Sequence, residues 1–407
     1  MATNMNYSTH TTAPEAAEGV TFEPGKLIRF QTYLQPDPTY YFGCDVLEHL
    51  GGLLNCHEHD KVFLVTNEVL NRLYGDSITD MLTRHNIKHE VITIPDSEHD
   101  KRFATLEYLC DTLVSRFVTK GSIIIGFGGG CLTNVVGLAS ALIFRGIRYV
   151  EIPTTFMGVT DSCLSNKQAV NGAHGKNQYG TYYAPLFLFA DTKFLRTESL
   201  PGRKSAIAEG IKNAFINDAS LLPYYQRVLA DARLDNLDLI TLTELAYNVI
   251  RSKLEILRQD PSEKLFAMAL EYGHTFGHAI EFFSDGAIPH GIAVAKGMCI
   301  AAEISRELGY LTQEEVDLHY SMFGGSLGLD LTIPSSISPS DILDTVLADN
   351  KKTVKGVKYV ILERIGKCLN PDGDFQVCVD PALVRKVLTL HNQRVEAHLA
   401  LTQEKGA

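Results

Sequence analysis

"SIIIGFGGGCLTNVVGLASALIFRG", residues 122–146, is the stretch on which the architecture turns. Ile123, Ile124, Ile125 and Phe127 read as a buried strand, Gly128, Gly129 and Gly130 follow, and 132–146 resumes with helical spacing. A strand that ends in glycines and opens a helix leaves free N–H groups at the helix start, where the dipole also favours an anion such as a pyrophosphate. The run is not GxGxxG, because Cys131 takes the sixth position, so by itself it fits a nucleotide loop or a tight strand-to-helix turn equally well.

Outward from this stretch the same alternation continues. "KVFLVTN" (61–67), "HEVITIP" (89–95), "RYVEIPTTF" (148–156) and "LFLFAD" (186–191) read as buried strands, and "RFATLEYLCDTLVSRFV" (102–118) as a helix. Strand and helix in turn imply a parallel sheet covered on both faces. After about residue 200 strand signals fade and helical stretches follow at 204–217, 237–259, 262–283, 290–308 and 312–323. The expected fold is α/β: a Rossmann-like parallel-sheet domain over 21–200, preceded by a disordered polar tail over 1–20, and a mostly helical domain over 201–407. "SLPGRKS" (199–205), with Pro201 and Gly202, reads as the hinge.

The 407 residues suit two domains, and 45% hydrophobic with 21% charged residues is ordinary for a globular chain. A formal charge of −11 argues against a general nucleic-acid binder. No apolar run reaches the ~20 residues of a membrane span, and the N-terminus lacks the apolar core of a signal peptide. Eight scattered cysteines without a CxxC pair point to a reduced compartment, so a cytoplasmic location is expected.

Three clusters carry chemistry. Asp161, Lys167, Lys176 and Asn177 crowd into seventeen residues of polar sequence, read as an irregular binding loop. Glu209 and Lys212 in "AIAEGIKNAF" share one helix face, which alone signals only a surface ion pair. "LEYGHTFGHAIEFFSDGAIPHG" (270–291) holds His274 and His278 four apart, with His290 after a turn. One carboxylate with two imidazoles leaves coordination positions open, as at a catalytic divalent metal, and the residues leave open which two histidines serve. Asn350, Lys351 and Lys352 read as a solvated basic turn, or a phosphate clamp if folded over a site.

Taken in order, GGGxxxN, FRGI, PTTF, DS, GKN, AExIK, GHTxGHAIE and HG resemble the sugar phosphate cyclases of the dehydroquinate synthase superfamily, over about 40–365. The resemblance implies NAD, one zinc or cobalt ion, a small phosphorylated sugar as substrate and a homodimer. It implies Glu209, His274 and His290 as metal ligands, with His278 as a substrate contact. Asp161, Lys167, Lys212 and His278 would take catalytic roles, while Lys176, Asn177, Lys253, Lys351, Lys352 and a partner-donated Arg145 would bind substrate; Glu271, beside His274 in sequence, is a further candidate for handling protons or holding a hydroxyl. NAD would meet Asn67, Glu98, Lys101, Gly129, Gly130, Asn134, Thr154 and Thr155.

Within the superfamily, dehydroquinate synthases carry an arginine and an asparagine where "AMALEYGHT" has Ala267 and Glu271. Losing a cation and gaining a carboxylate disfavours a carboxylate-bearing substrate. The motifs most resemble the 2-deoxy-scyllo-inosose synthases, with Asn134 after the glycine run; Ile292 and Asn166 depart from their pattern. That resemblance implies cyclisation of glucose 6-phosphate with phosphate release, through transient oxidation by NAD, elimination, reduction and an intramolecular aldol, as in aminocyclitol antibiotic biosynthesis. The alternatives are a cyclase of sedoheptulose 7-phosphate of the valiolone type, a 3-dehydroquinate synthase, a metal-dependent polyol dehydrogenase, or a silent relative that only binds.

Overall fold

The apolar residues 62–65 and 123–125, with Phe127, are wholly buried because both faces of their sheet are covered. In the computed structural model, which describes residues 8–9, 23–31, 38–173, 175–231, 234–260, 263–348 and 357–405, the chain divides into two units. The first comprises 1–198 with 238–250, and the second 199–237 with 251–407. Asn350, Lys351 and Lys352 lie outside the described residues, as does the expected tail apart from Ser8 and Thr9.

The first unit holds β1 Ser8–Thr9, β2 Leu27–Gln31, β3 Thr39–Gly43, β4 Val62–Thr66, β5 His89–Thr93, β6 Ile123–Gly128, β7 Arg148–Pro153, β8 Lys167–Val170, β9 Tyr179–Tyr182 and β10 Phe187–Asp191. Its helices are α1 Glu48–Asn55, α2 Glu68–Leu70, α3 Asp76–Arg84, α4 Phe103–Ser115, α5 Gly130–Leu142 and α6 Phe156–Thr160. Eight strands form one sheet in the order β1-β2-β3-β10-β7-β6-β4-β5, parallel except where β2 meets β3. Alternate residues feed opposite faces. Val62 and Leu64 pack with Leu50, Ile78 and Phe194, whereas Phe63 and Val65 pack with Leu109, Val135 and Val136.

The second unit carries α7 Leu200–Ile216, α8 Leu222–Asp231, the later part of α9 Leu239–Gln259, α10 His274–Phe283, α11 His290–Glu307, α12 Gln313–Tyr320, α13 Pro339–Ala348 and α14 Pro381–Lys405. Two short strand pairs, Lys358–Tyr359 with Val377–Cys378 and Leu362–Arg364 with Lys367–Cys368, complete it. Among the described residues no helix is long and apolar enough to cross a membrane.

Local structure departs from the sequence pattern in places. Strands β1 to β3 extend the sheet ahead of the 61–200 alternation. The 199–205 segment, where the second unit begins, opens α7: Ser199 Oγ accepts from Gly202 N at 3.3 Å, and Pro201 sits where a helix needs no N–H. The expected 262–283 helix is broken, because Gly273 at φ +81° cannot continue a right-handed helix and α10 begins only at His274. Finally, the polar 165–177 stretch is partly regular, since Lys167–Val170 pairs antiparallel with Tyr179–Tyr182.

Candidate metal and dinucleotide sites

Glycine explains how the histidines of the second unit come together. A Cβ on Gly291 would lie 1.9 Å from the Ser205 carbonyl oxygen of α7, and one on Gly297 would lie 2.1 Å from the Gly273 carbonyl oxygen. Bare backbone at these positions lets α7, α10 and α11 approach closely, so Glu209, His274 and His290 converge from three helices.

The Glu209 side chain is 3% exposed, and its two oxygens have different partners. Oε2 accepts from Lys212 Nζ. Oε1 is buried and accepts no hydrogen bond among the described residues, yet lies 3.8 Å from His274 Nε2 and 3.8 Å from His290 Nε2. Both rings donate from Nδ1, His274 to the Tyr272 carbonyl at 3.3 Å and His290 to Glu281 Oε2 at 3.2 Å, so in the neutral imidazoles Nε2 is the lone pair. Burial and the nearby Lys212 hold His274 well below the ordinary imidazole range, in the neutral form that ligates. Burial pushes the Glu209 carboxyl up, but neighbouring positive charge, Lys212 foremost, outweighs it and keeps it below the ordinary carboxylate range, hence ionised.

A deprotonated oxygen and two imidazole lone pairs around one point suit a divalent cation; donors tetrahedral about zinc stand roughly 3.3 Å apart. The orphaned Oε1 is the group such an ion would satisfy. His278 belongs to the same cluster: one ring nitrogen from each of His274, His278 and His290 falls within 4.8 Å of the others, with His278 the exposed member. Lys253 is buried near Glu209. Glu271, in the turn before Gly273, places negative charge beside His274.

In the first unit, α5 begins at the third glycine, with Gly129 as its cap. A Cβ on Gly130 would come 2.9 Å from Ser162 Oγ, and one on Gly128 2.9 Å from Leu132 Cβ. Beside this turn lies a cavity of about 700 Å³ lined by Asn67, Thr93, Pro95, Asp96, Thr105 and Tyr108 among others. Asp96 organises it: Oδ1 accepts from Leu132 N (3.1 Å), while Oδ2 accepts from Gly129 N (3.3 Å) and Asn67 Nδ2 (2.9 Å). Thr154 N donates to Gly128 O at 2.9 Å, and Thr155 caps α6.

Lys101 Nζ donates to Asn134 Oδ1 at 2.8 Å and to Asn177 Oδ1 at 2.6 Å. Glu98 accepts from Asn171 Nδ2 at 2.7 Å and lies 3.9 Å from Lys176 Nζ. Burial pushes the Glu98 carboxyl up, but Asn171, Lys176 and Lys101 outweigh it. Lys176 and Asn177 thus sit against Glu98 and Lys101, joining two sets that the sequence resemblance kept apart. Asp161 ends α6, Lys167 opens β8, and Arg145 is exposed in a turn where both Phe144 (φ +53°) and Arg145 (φ +64°) are left-handed.

Four contributors escaped the sequence reading. Glu281 lies inside the quoted GHAIE motif, so spacing to His290 was a usable signal. Asp96 lies just past β5, and its partners at Gly129 and Leu132 stand more than thirty residues away, beyond the reach of local pattern. Tyr272 and His319 gave no signal, being 47 residues apart.

Profiles of the 3-dehydroquinate synthase N-terminal and C-terminal families match residues 91–205 and 206–352. The 2-deoxy-scyllo-inosose synthase of Streptomyces kanamyceticus is 34% identical over 355 residues, 86% of this chain and 90% of that protein. The 3-dehydroquinate synthase of Desulforamulus reducens is 33% identical over 328 residues, 80% and 90% of the two chains. A crystal structure of 2-deoxy-scyllo-inosose synthase with carbaglucose-6-phosphate, NAD+ and Co2+ superposes with a TM-score of 0.81 at 27% identity, covering 88% of this chain and 99% of that one. With both family halves matched in order and relatives above 30% identity along most of its length, this chain belongs to the dehydroquinate synthase family of sugar phosphate cyclases.

Proposed function

We propose that the protein converts glucose 6-phosphate to 2-deoxy-scyllo-inosose and inorganic phosphate, as a cytoplasmic homodimer that uses NAD and one divalent ion, zinc or cobalt. The observation that carries the metal half of this reading is the orphaned Glu209 Oε1 facing two Nε2 lone pairs. When bound, the ion would polarise a substrate hydroxyl, and NAD would take a hydride from that carbon and return it within the same turnover.

Glu209, His274 and His290 would hold the ion, with Lys212 fixing the carboxylate so that Oε1 is presented. The Gly129–Gly130 turn, Asn67, Thr154 and Thr155 would receive the dinucleotide, with Glu98, Lys101 and Asn134 alongside. Lys253, Lys176 and Asn177 would bind the anionic sugar, Arg145 would reach a partner's phosphate, and Asp161, Lys167 and His278 would position hydroxyls or move protons. The reaction is redox-neutral, so no external oxidant is consumed.

Ala267 and Glu271 favour glucose 6-phosphate over a substrate with a carboxylate. Ala267 is buried at 4% exposure and offers no cation, and Glu271 would repel a second negative group. Near-equal identity to synthases of both kinds leaves the choice to these side chains. The test is incubation with NAD+ and Co2+ or Zn2+, separately with glucose 6-phosphate, sedoheptulose 7-phosphate and the dehydroquinate precursor. Phosphate release with a carbocyclic product from glucose 6-phosphate alone is expected; release from either other sugar instead overturns the assignment. Net NADH from an unphosphorylated polyol would indicate a dehydrogenase.

A further inference from the structure

Behind His274 runs a hydrogen-bonded chain that reaches another helix. His319 is fully buried on α12, and its Nδ1 lies 2.8 Å from the Glu315 carbonyl oxygen. A carbonyl can only accept, so Nδ1 carries the proton and Nε2 is a lone pair. That lone pair lies 2.9 Å from the hydroxyl of fully buried Tyr272, which therefore donates to it; the Met298 carbonyl is a more distant acceptor at 3.3 Å. The Tyr272 backbone carbonyl in turn accepts from His274 Nδ1, and this fixes Nε2 toward Glu209.

Both ends of the chain are anchored. Glu315 closes a capping box with Thr312, which fixes the first turn of α12. The His319 ring stacks on Phe215 with centroids 3.8 Å apart and planes 9° from parallel, and Phe215 stands on α7, the helix that carries Glu209. One element thus sets the carboxylate and also seats the ring that pins Tyr272.

We propose that His319 is a positioning residue for the metal ligand His274, acting through the Tyr272 hydroxyl. The inference rests on the metal reading above and adds a partner outside the donor set. Tyr272 precedes Gly273, where the backbone turns left-handed, so its side chain anchors the peptide whose carbonyl orients His274. Outer-shell partners of metal-bound histidines are commonly worth 10- to 100-fold in affinity.

The experiment measures Co2+ affinity by equilibrium dialysis, together with the visible absorption of the Co2+ complex, for the wild type, Tyr272→Phe, His319→Phe, the double variant and Glu209→Gln. Tyr272→Phe and His319→Phe are each expected to weaken Co2+ about tenfold and to shift the visible band. The double variant should be no weaker than the worse single one, since either change breaks the same link. Normal affinity and an unshifted band in folded Tyr272→Phe overturn the inference, even if melting temperature falls; should His319→Phe fail to fold, Tyr272→Phe decides alone. Wild type without Co2+ affinity, or Glu209→Gln equal to wild type, would instead sink the metal reading itself.

Discussion

Glu281 Oε2 accepts the Nδ1 proton of His290 at 3.2 Å, and by holding that proton it turns the ring's other nitrogen toward Glu209. Replacing Glu281 by Ala frees the ring and removes the charge that makes the imidazole a better donor. Metal affinity should fall about 10- to 100-fold, with partial recovery in Glu281→Gln, which keeps an acceptor oxygen. Isothermal titration with Zn2+ or Co2+ checks it; unchanged affinity in Glu281→Ala would show that the contact does not orient the ring.

Removal of the donors themselves should be graded by identity. Glu209→Gln, His274→Ala and His290→Ala are each expected to be isolated with little bound metal and activity down by at least about a thousandfold. His278→Ala should retain near-stoichiometric metal while losing turnover. Metal analysis of the four purified variants separates the two histidine sets, and metal loss in His278→Ala would move that residue into the coordination sphere.

Gly297→Ala tests the close helix approach. The added methyl would lie 2.1 Å from the Gly273 carbonyl oxygen, which is backbone and cannot swing away. Overpacking of this kind typically costs about 1–3 kcal/mol or more. A lowered melting temperature together with weakened metal binding is expected, because the displaced backbone carries His274. Thermal unfolding indistinguishable from wild type would refute the packing argument.

Asp96 holds the first turn of α5 in the first unit. Asp96→Ala strips the Leu132 and Gly129 N–H groups and the Asn67 amide of their acceptor, at a cost of roughly 1–3 kcal/mol for the unsatisfied groups. NAD+ binding should weaken as the glycine turn loosens. Fluorescence titration with NADH and chemical denaturation measure the two effects, and loss of stability with unaltered coenzyme affinity would separate Asp96 from the coenzyme site.

Glu151, 2% exposed on β7, has a different consequence. Burial pushes its carboxyl from the ordinary 4.5 up to about 7, against lowering contacts from Cys163, Gln168 and Tyr149. Between those values the unfolded chain releases a proton that the folded one keeps, so stability falls as pH rises through the window and the loss is complete above about 7. The full span corresponds to about 3 kcal/mol. Glu151→Gln removes the titration, so its melting temperature relative to wild type should be higher at pH 8 than at pH 5. A difference that does not change with pH would exclude an ionising Glu151.

The sequence by itself determined the alternation of strand and helix from residue 61, because burial on both faces of a parallel sheet leaves unbroken apolar runs and amphipathic helices leave a 3.6-residue period. Motif order likewise placed Glu209, His274, His278 and His290 in one candidate site. Only the tertiary structure decided which Glu209 oxygen is free, which ring nitrogens are lone pairs, and that Lys176 and Asn177 join Glu98 and Lys101. It also showed Asp96 on the α5 turn and His319 behind Tyr272. Those facts depend on hydrogen bonds between residues up to 76 positions apart, such as Lys101 with Asn177. Periodicity records which face of an element is buried, but not which distant polar atom waits there; chain folding supplies that partner.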